Sequence, residues 1–226
     1  MRSTAKFIAA LALAAVTTTP LASSAQEIRA DGTVKLTPFE ARGIKFSTIY
    51  TVNEDFAQKH GIAVPAAFSL AAPRREAQRI LAQAKPSGGG PIKIYFTTDD
   101  AAQRIFSSLQ IVTYTLKTDD PQKRLEVGDY FAIELLKKLG TTPDTTRVNV
   151  RRKVMIGDLP ASEVVGNFVN KDGDQLLVRL VALAKPDTRD GVIGIAVGHP
   201  RQGRIRSVED IYETSASLAL DTVTFK

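Results

Sequence analysis

Apolar and polar residues alternate through Ile44–Val52 (IKFSTIYTV), a β-branched and aromatic run that reads as a strand. A shorter strand, Thr33–Leu36, precedes it after a polar lead-in. Asn53-Glu54-Asp55 caps a short helical turn ending at His60-Gly61, where glycine suits the left-handed position beyond a helix. Ile62–Leu70 is apolar and interrupted by Pro65. Pro73 then fits the first turn of a helix through Ala84, with Ala77, Ile80, Leu81 and Ala84 on one face. Lys85-Pro86-Ser87-Gly88-Gly89-Gly90-Pro91 is a loop. It follows a helical pattern, leads into a strand and lacks a Gly-Lys-Ser/Thr end, so it reads as a connector and not as a phosphate cradle.

Beyond Pro91 the periodicity sharpens. Ile92–Thr98 (IKIYFTT) is a strand, Asp99 or Asp100 caps a brief helical turn through Phe106, and Leu109–Leu116 (LQIVTYTL) alternates as a strand again. Asp119-Asp120-Pro121 announces a helix, with an Asp N-cap and proline in the first position. Leu125, Gly128, Ala132, Leu136 and Leu139 share its inner stripe and Gly140 ends it. Four runs follow at short spacing: Arg147–Ile156, Ser162–Val169, Leu176–Leu183 and Val192–Val197. Their connections are Gly157-Asp158-Leu159-Pro160, Lys171-Asp172-Gly173-Asp174 and Lys185-Pro186-Asp187, which predicts an antiparallel meander. Ser207-Val208-Glu209-Asp210 then opens a helix carrying Val208, Ile211, Ser215 and Leu218 on one face to about Thr222.

The first residues have a different character. Arg2 and Lys6 precede an unbroken apolar run, Phe7–Val16, and a small, polar stretch ends in Ala22-Ser23-Ser24-Ala25. Ser23 and Ala25 suit a signal-peptidase pocket, so cleavage is expected after Ala25. Roughly ten apolar residues are about half of a membrane-spanning helix. No later stretch approaches that length, and a periplasmic or secreted protein is expected. The chain has no cysteine, hence neither disulfides nor a lipid-modified cysteine, and about 200 residues bury enough apolar surface without them. Net charge is +6, falling to +4 once Arg2 and Lys6 leave with the signal. That excess is too mild and too scattered for a nucleic-acid binder.

From Pro91 to Phe225 the order is strand, strand, helix, meander and C-terminal amphipathic helix, with a tight Gly-x-Leu-Pro-Ala corner at Gly157–Ala161. This order and corner resemble the αβα-sandwich superfamily of the PsbP subunits of the photosynthetic oxygen-evolving complex. A small Ran-binding nuclear-import factor and many bacterial exported proteins share that fold. The expected fold class is therefore α+β, an antiparallel sheet flanked by helices. The expected organisation is a signal peptide over residues 1–25, an N-terminal subregion over 26–90 and the sandwich domain over 91–226. The resemblance implies a binding or assembly role and transfers no residue roles, because fold does not carry function.

Candidate chemistry is sparse. His60 and His199 are the only histidines, which argues against zinc, and the Gly-x-Ser-x-Gly elbow is missing. Asp172-Gly173-Asp174 lacks the spacing and closing Glu of a calcium loop and reads as a hairpin turn. Arg151 and Lys153 should face one side of their strand and Arg152 the other, as a solvated sheet edge. Glu134 has no acidic partner nearby. His199, Arg201, Arg204 and Arg206 crowd one loop before the last helix, where they form either a carboxylate or phosphate site or a solvated loop.

No enzyme and no cofactor is expected from this set. The leading expectation is an exported, non-catalytic envelope protein that binds a macromolecular partner or an anionic ligand. The alternative is a periplasmic carrier or sensor of a small molecule or lipid. Mass-spectrometric reading of the natural N-terminus tests the address: the mature chain should begin at Gln26, and an intact Met1 on cytosolic protein would refute export.

Overall fold

The computed structural model describes residues 27–28, 32–35, 43–82, 90–98, 104–200 and 205–226. The expected signal peptide, most of the glycine loop and the helical turn expected at Asp99 or Asp100 lie outside these residues. In chain order the elements begin with β1 (Glu27–Ile28), β2 (Val34–Lys35), β3 (Phe46–Val52), α1 (Glu54–His60), β4 (Phe68–Pro73) and β5 (Ala77–Ala82). They continue with β6 (Ile92–Thr97), β7 (Ile105–Thr115), α2 (Pro121–Leu139), β8 (Arg147–Ile156), β9 (Leu159–Val169), β10 (Gln175–Ala184) and β11 (Asp190–Gly198). A 3-10 turn (Glu209–Glu213), α3 (Ser215–Leu220) and β12 (Thr224–Phe225) complete the chain.

Nine strands form one sheet in the order β1-β2-β8-β9-β10-β11-β7-β6-β5. The expected antiparallel meander is its centre, β8 through β11. Gly157 at φ +57 and Gly173 at φ +78 supply the left-handed positions of the first two hairpins, and Asn170 Oδ1 accepts from the amides of Asp172 and Asp174. Asp172-Gly173-Asp174 is thus a turn. Before Pro91, β5 pairs with β6 and β2 pairs in parallel with β8, so residues from the expected N-terminal subregion extend the same sheet at both ends.

Both faces are covered, as expected for an α+β sandwich. On one face α2 lays Ala132 and Leu136 over Val164, Val178, Leu180 and Ala182. Its start follows the sequence signals: Asp120 Oδ1 accepts from the Lys123 amide, and Pro121 leads the first turn. On the other face α3 and a three-stranded sheet, β12-β4-β3, pack on Ile94, Phe96, Leu109, Ile111, Val181 and Leu183. Buried on both sides, β10 reads as an almost continuous apolar run.

Three expectations are corrected. Residues 73–84 are not a helix: Pro73 closes β4, Arg74–Glu76 turn, and β5 pairs with β6. Ala, Gln and Arg favour a helix by only a few tenths of a kcal/mol each. A full ladder to β6 and the stacking of Arg79 over Tyr95 outweigh that preference. The last helix does not run from Ser207 to Thr222. Thr214 adopts an extended conformation and accepts from the Ser217 amide as an N-cap, which divides the segment into the 3-10 turn and α3. Ile105 and Phe106, expected at the end of a helical turn, already belong to β7.

Close packing between strands leaves no room for a Cβ at Gly166 or Gly191, where it would meet a backbone oxygen of the neighbouring strand. A Cβ at Gly166 would overlap the Arg147 carbonyl oxygen across the β8–β9 ladder as well as Leu136 of α2. Backbone cannot swing aside as a side-chain tip does. Gly166→Ala should therefore lower the urea midpoint by the equivalent of about 1–3 kcal/mol, the usual effect of overpacking.

Candidate functional site

Among the described residues charge enters the core at two places, at Arg124 of α2 and in a cluster around Arg179. Arg179 lies on the inward face of β10 and is fully buried, as is Glu163 on the neighbouring β9. The two sit diagonally across the ladder, since Arg179 pairs with Val165 and Val181 with Glu163. Arg179 Nε donates to Glu163 Oε1 at 2.6 Å. Arg152, directly opposite Glu163 on β8, donates from Nε to Oε2 at 2.6 Å. Asp221, just beyond α3, places Oδ1 2.6 Å from Arg179 Nη2 as an ion pair. Two guanidinium groups thus meet two carboxylates, and the cluster is neutral.

Tyr212 from the 3-10 turn completes it. Its hydroxyl donates to Glu163 Oε2 and accepts from Arg152 Nη2, both at 3.1 Å. Its ring lies 5.0 Å from the Arg179 guanidinium carbon and 5.5 Å from that of Arg152. Burial pushes the Tyr212 hydroxyl upward and the Glu163 charge adds to that rise, so it stays protonated at any physiological pH. Burial alone would raise Glu163 too. The Arg179 and Arg152 charges and their hydrogen bonds outweigh it and hold the carboxyl below its ordinary value.

Asp221 also lines a cleft of about 690 Å³. Its walls are the β8–β9 hairpin (Ile156–Leu159), Lys185 and Pro186 after β10, Phe46 of β3, and the C-terminal segment from Asp221 to Lys226. Ile156, Leu159, Pro186, Val223 and Phe225 make it mainly apolar. Its positions are fixed from behind. Buried Arg124 of α2 donates from Nη2 to the carbonyls of Lys185 (2.8 Å) and Asp190 (2.7 Å), pinning the β10–β11 turn. Thr222 Oγ1 accepts from the Ala71 amide at 2.7 Å, and the Lys226 amide donates to Ala67 O at 3.1 Å, securing the C-terminal wall to β4.

The expected loop site lies elsewhere. His199 follows the far end of β11 from the β10–β11 turn, about 25 Å along a strand of nine residues. It is half-buried, its amide donates to Phe106 O, and burial lowers its imidazole although Asp174 pulls the other way. Arg206 is exposed, and its amide, with that of Ser207, donates to Asp210. Arg201 and Arg204 lie outside the described residues. Arg151 and Arg152 do take opposite faces: Arg151 pairs with Asp129 of α2, while Arg152 is no solvated edge residue but part of the ion cluster. Glu134 pairs with Lys137 at 2.8 Å, and the His60 ring packs on Phe56 before Gly61 at φ +61.

Glu163, Arg179 and Asp221 escaped the sequence reading. The signal was a single charge inside an apolar strand, Glu163 in Ala161–Val165 and Arg179 in Leu176–Ala184. Such residues are seldom buried unless paired.

Glu163→Gln should lower stability by about 3–5 kcal/mol, because it takes one buried carboxylate from a cluster of two guanidinium groups and leaves an uncompensated positive charge there. Because the folded value of Glu163 is lowered, its contribution is full above the unfolded value and is lost as pH falls through the folded one. The melting temperature of the wild-type protein should therefore fall on acidification below about pH 4.3, the ordinary glutamate value, more steeply than that of Glu163→Gln. Parallel slopes in calorimetry would refute the assignment.

No protein-family model and no curated protein matches this sequence. Among solved structures the chain is similar to LpqN, involved in cell envelope biogenesis of Mycobacterium tuberculosis, with a TM-score of 0.46 and 17% identity over 79% of this chain and 90% of that one. It is similar to the Saccharomyces cerevisiae Ran-binding protein Mog1p, with a TM-score of 0.41 and 10% identity over 78% of this chain and 95% of that one. A Bacteroides thetaiotaomicron protein gives a TM-score of 0.40 and 11% identity over 70% of this chain and 45% of that one.

Proposed function

We propose that this chain is an exported, non-catalytic binding protein of the cell envelope, and that it carries or senses a small apolar or amphipathic molecule in the cleft beside its C-terminal segment. The cleft carries the reading. Its volume of about 690 Å³ falls in the range of ligand pockets, its wall is mainly apolar, and hydrogen bonds from behind hold the turn at Lys185 and the C-terminal segment. Of the charged residues that line it, Asp221 is committed to Arg179, which also pairs with Glu163. The N-terminal leader supports export.

A macromolecular partner is the second reading, and α2 favours it. Tyr130 and Phe131 are 59% and 37% exposed on that helix, with the Phe131 ring 6.5 Å from Tyr114. Aromatic side chains of this kind anchor protein interfaces.

Thermal-shift screening of the mature protein against envelope metabolites and lipids separates the two. A cleft ligand at 100 times its dissociation constant adds about 2.7 kcal/mol, a rise of roughly 5–10 °C for a chain of this size. Leu159→Trp, which fills the cleft, should abolish that rise, and Tyr130→Ala should leave it unchanged. If co-purification instead recovers a partner that Tyr130→Ala releases and Leu159→Trp retains, the carrier reading is wrong.

A further inference from the structure

At the edge of a sheet half of the backbone groups face outward, where another chain can pair with them. Among the described residues three strands longer than two residues present such an edge: β8 over Arg147–Lys153, β5 and β3. Charge blocks pairing at the first two. Arg147, Arg151, Arg152 and Lys153 crowd the open stretch of β8, and Arg79 stands in the middle of β5. β3 has no such protection. Ser47–Val52 contains no charged residue and no proline. It carries Ile49, which at 74% exposure is the most exposed large hydrophobic side chain among the described residues. Gln78 of β5 reaches the Ser47 and Tyr50 side chains, while the backbone of Ser47–Val52 has β4 as its described partner.

The charges at β3 lie at its two ends and have opposite signs. Lys45 precedes it, beside Arg74, whose amide donates to Lys45 O. Glu54 and Asp55 follow it. All four are exposed, and none forms an ion pair with another described residue. Neighbouring charges do not reverse either sign. Lys59, one turn beyond Asp55, offsets one of the two carboxylates, and Arg75 and Glu76 beside Arg74 offset each other.

We propose that β3 pairs with β3 of a second copy of this chain, antiparallel and about a two-fold axis through Ile49, which joins the two three-stranded sheets into one of six strands. Ile49 then stands opposite Ile49 of the second copy with Cβ atoms about 5 Å apart, so the exposed apolar groups cover each other. Ser47 stands opposite Thr51, and Thr48 opposite Tyr50, a β-branched and aromatic pair. Lys45 comes opposite Asn53 and beside Glu54 of the second copy, so a positive end meets a negative end twice. Any uncharged strand satisfies the backbone. The match of the two charged ends to each other singles out the chain's own β3. A parallel pair would set like ends together, and two β8 edges would set Arg147 near Lys153.

Sedimentation velocity of the mature protein from about 1 to 500 μM should show a monomer–dimer equilibrium with a dissociation constant of roughly 1–100 μM, as for a small interface. Ile49→Lys should weaken the dimer at least about tenfold without lowering the melting temperature, with Thr51→Lys as the alternative if that variant does not fold. Lys45→Glu should weaken it about tenfold, and adding Glu54→Lys should restore it to within about threefold of wild type. The chain has no cysteine, so Ile49→Cys supplies one thiol per chain. Mild oxidation should link that variant into a dimer, whereas Ser47→Cys, more than about 13 Å from its symmetry mate, should stay unlinked. A monomer at every concentration, or a dimer that Ile49→Lys and Thr51→Lys leave intact, overturns the proposal. A charge swap that fails to restore the dimer, or Ser47→Cys linking as readily as Ile49→Cys, overturns the antiparallel pairing about Ile49.

Discussion

A guanidinium on the inward face of the central strand has no water to solvate it, so the protein must bring opposite charge to it. Arg179 occupies β10, fifth of nine strands in the large sheet, and is fully buried. One carboxylate comes from the adjacent strand and one from beyond α3. An unpaired ion there would face a desolvation penalty of several kcal/mol. That penalty makes the position of Asp221, and with it the end of α3, a condition of folding rather than a detail of the surface.

The cleft inherits its shape from this condition. Arg179 Nη1 also donates to the carbonyl of Ser217 at 3.4 Å, so the same side chain touches α3 twice, within the helix and just past it. Thr214 fixes where the helix begins. From Asp221 the chain can only leave toward β4, where Thr222 bonds both the amide and the carbonyl of Ala71. The wall formed by Val223–Lys226 is therefore positioned by an interaction in the middle of the sheet. Arg124 performs the corresponding task on the α2 face by holding the turn that carries Lys185. Two buried arginines, one on each side of the sheet, set the two walls.

The sequence disclosed the parts of this arrangement that depend on near neighbours. Asp120-Pro121, Asn53 with Gly61, and the turn at Gly173 act through hydrogen bonds or φ angles within a few residues, and each stands where the pattern placed it. The meander was legible because apolar runs between turns leave little choice of pairing. Residues 77–82 were misread because their helical propensity is local while their partner, β6, begins ten residues beyond them. The cleft was hidden for the same reason. Phe46, Leu159, Lys185 and Phe225 come from four distant parts of the chain, and no spacing relates them. Arg179 and Glu163 left a visible mark, a charge in each of two apolar strands, but strand register alone brings them together.

Hydrophobic burial and ion pairing divide the work at this site. Burial of Ala216, Leu218, Ala219 and Leu220 drives α3 onto the sheet, yet apolar contact is non-directional and tolerates sliding. A contact of 2.6 Å from Arg179 to Asp221 admits one position along the sheet, and the Glu163 carboxylate fixes the guanidinium plane from the other side. Apolar side chains at 163, 179 and 221 together would match the burial without selecting that position, since replacing a whole buried ion network by apolar groups is often neutral for stability. For a cleft wall that begins one residue after Asp221, the selected position decides whether Val223 and Phe225 face the hairpin at Ile156–Leu159 or miss it.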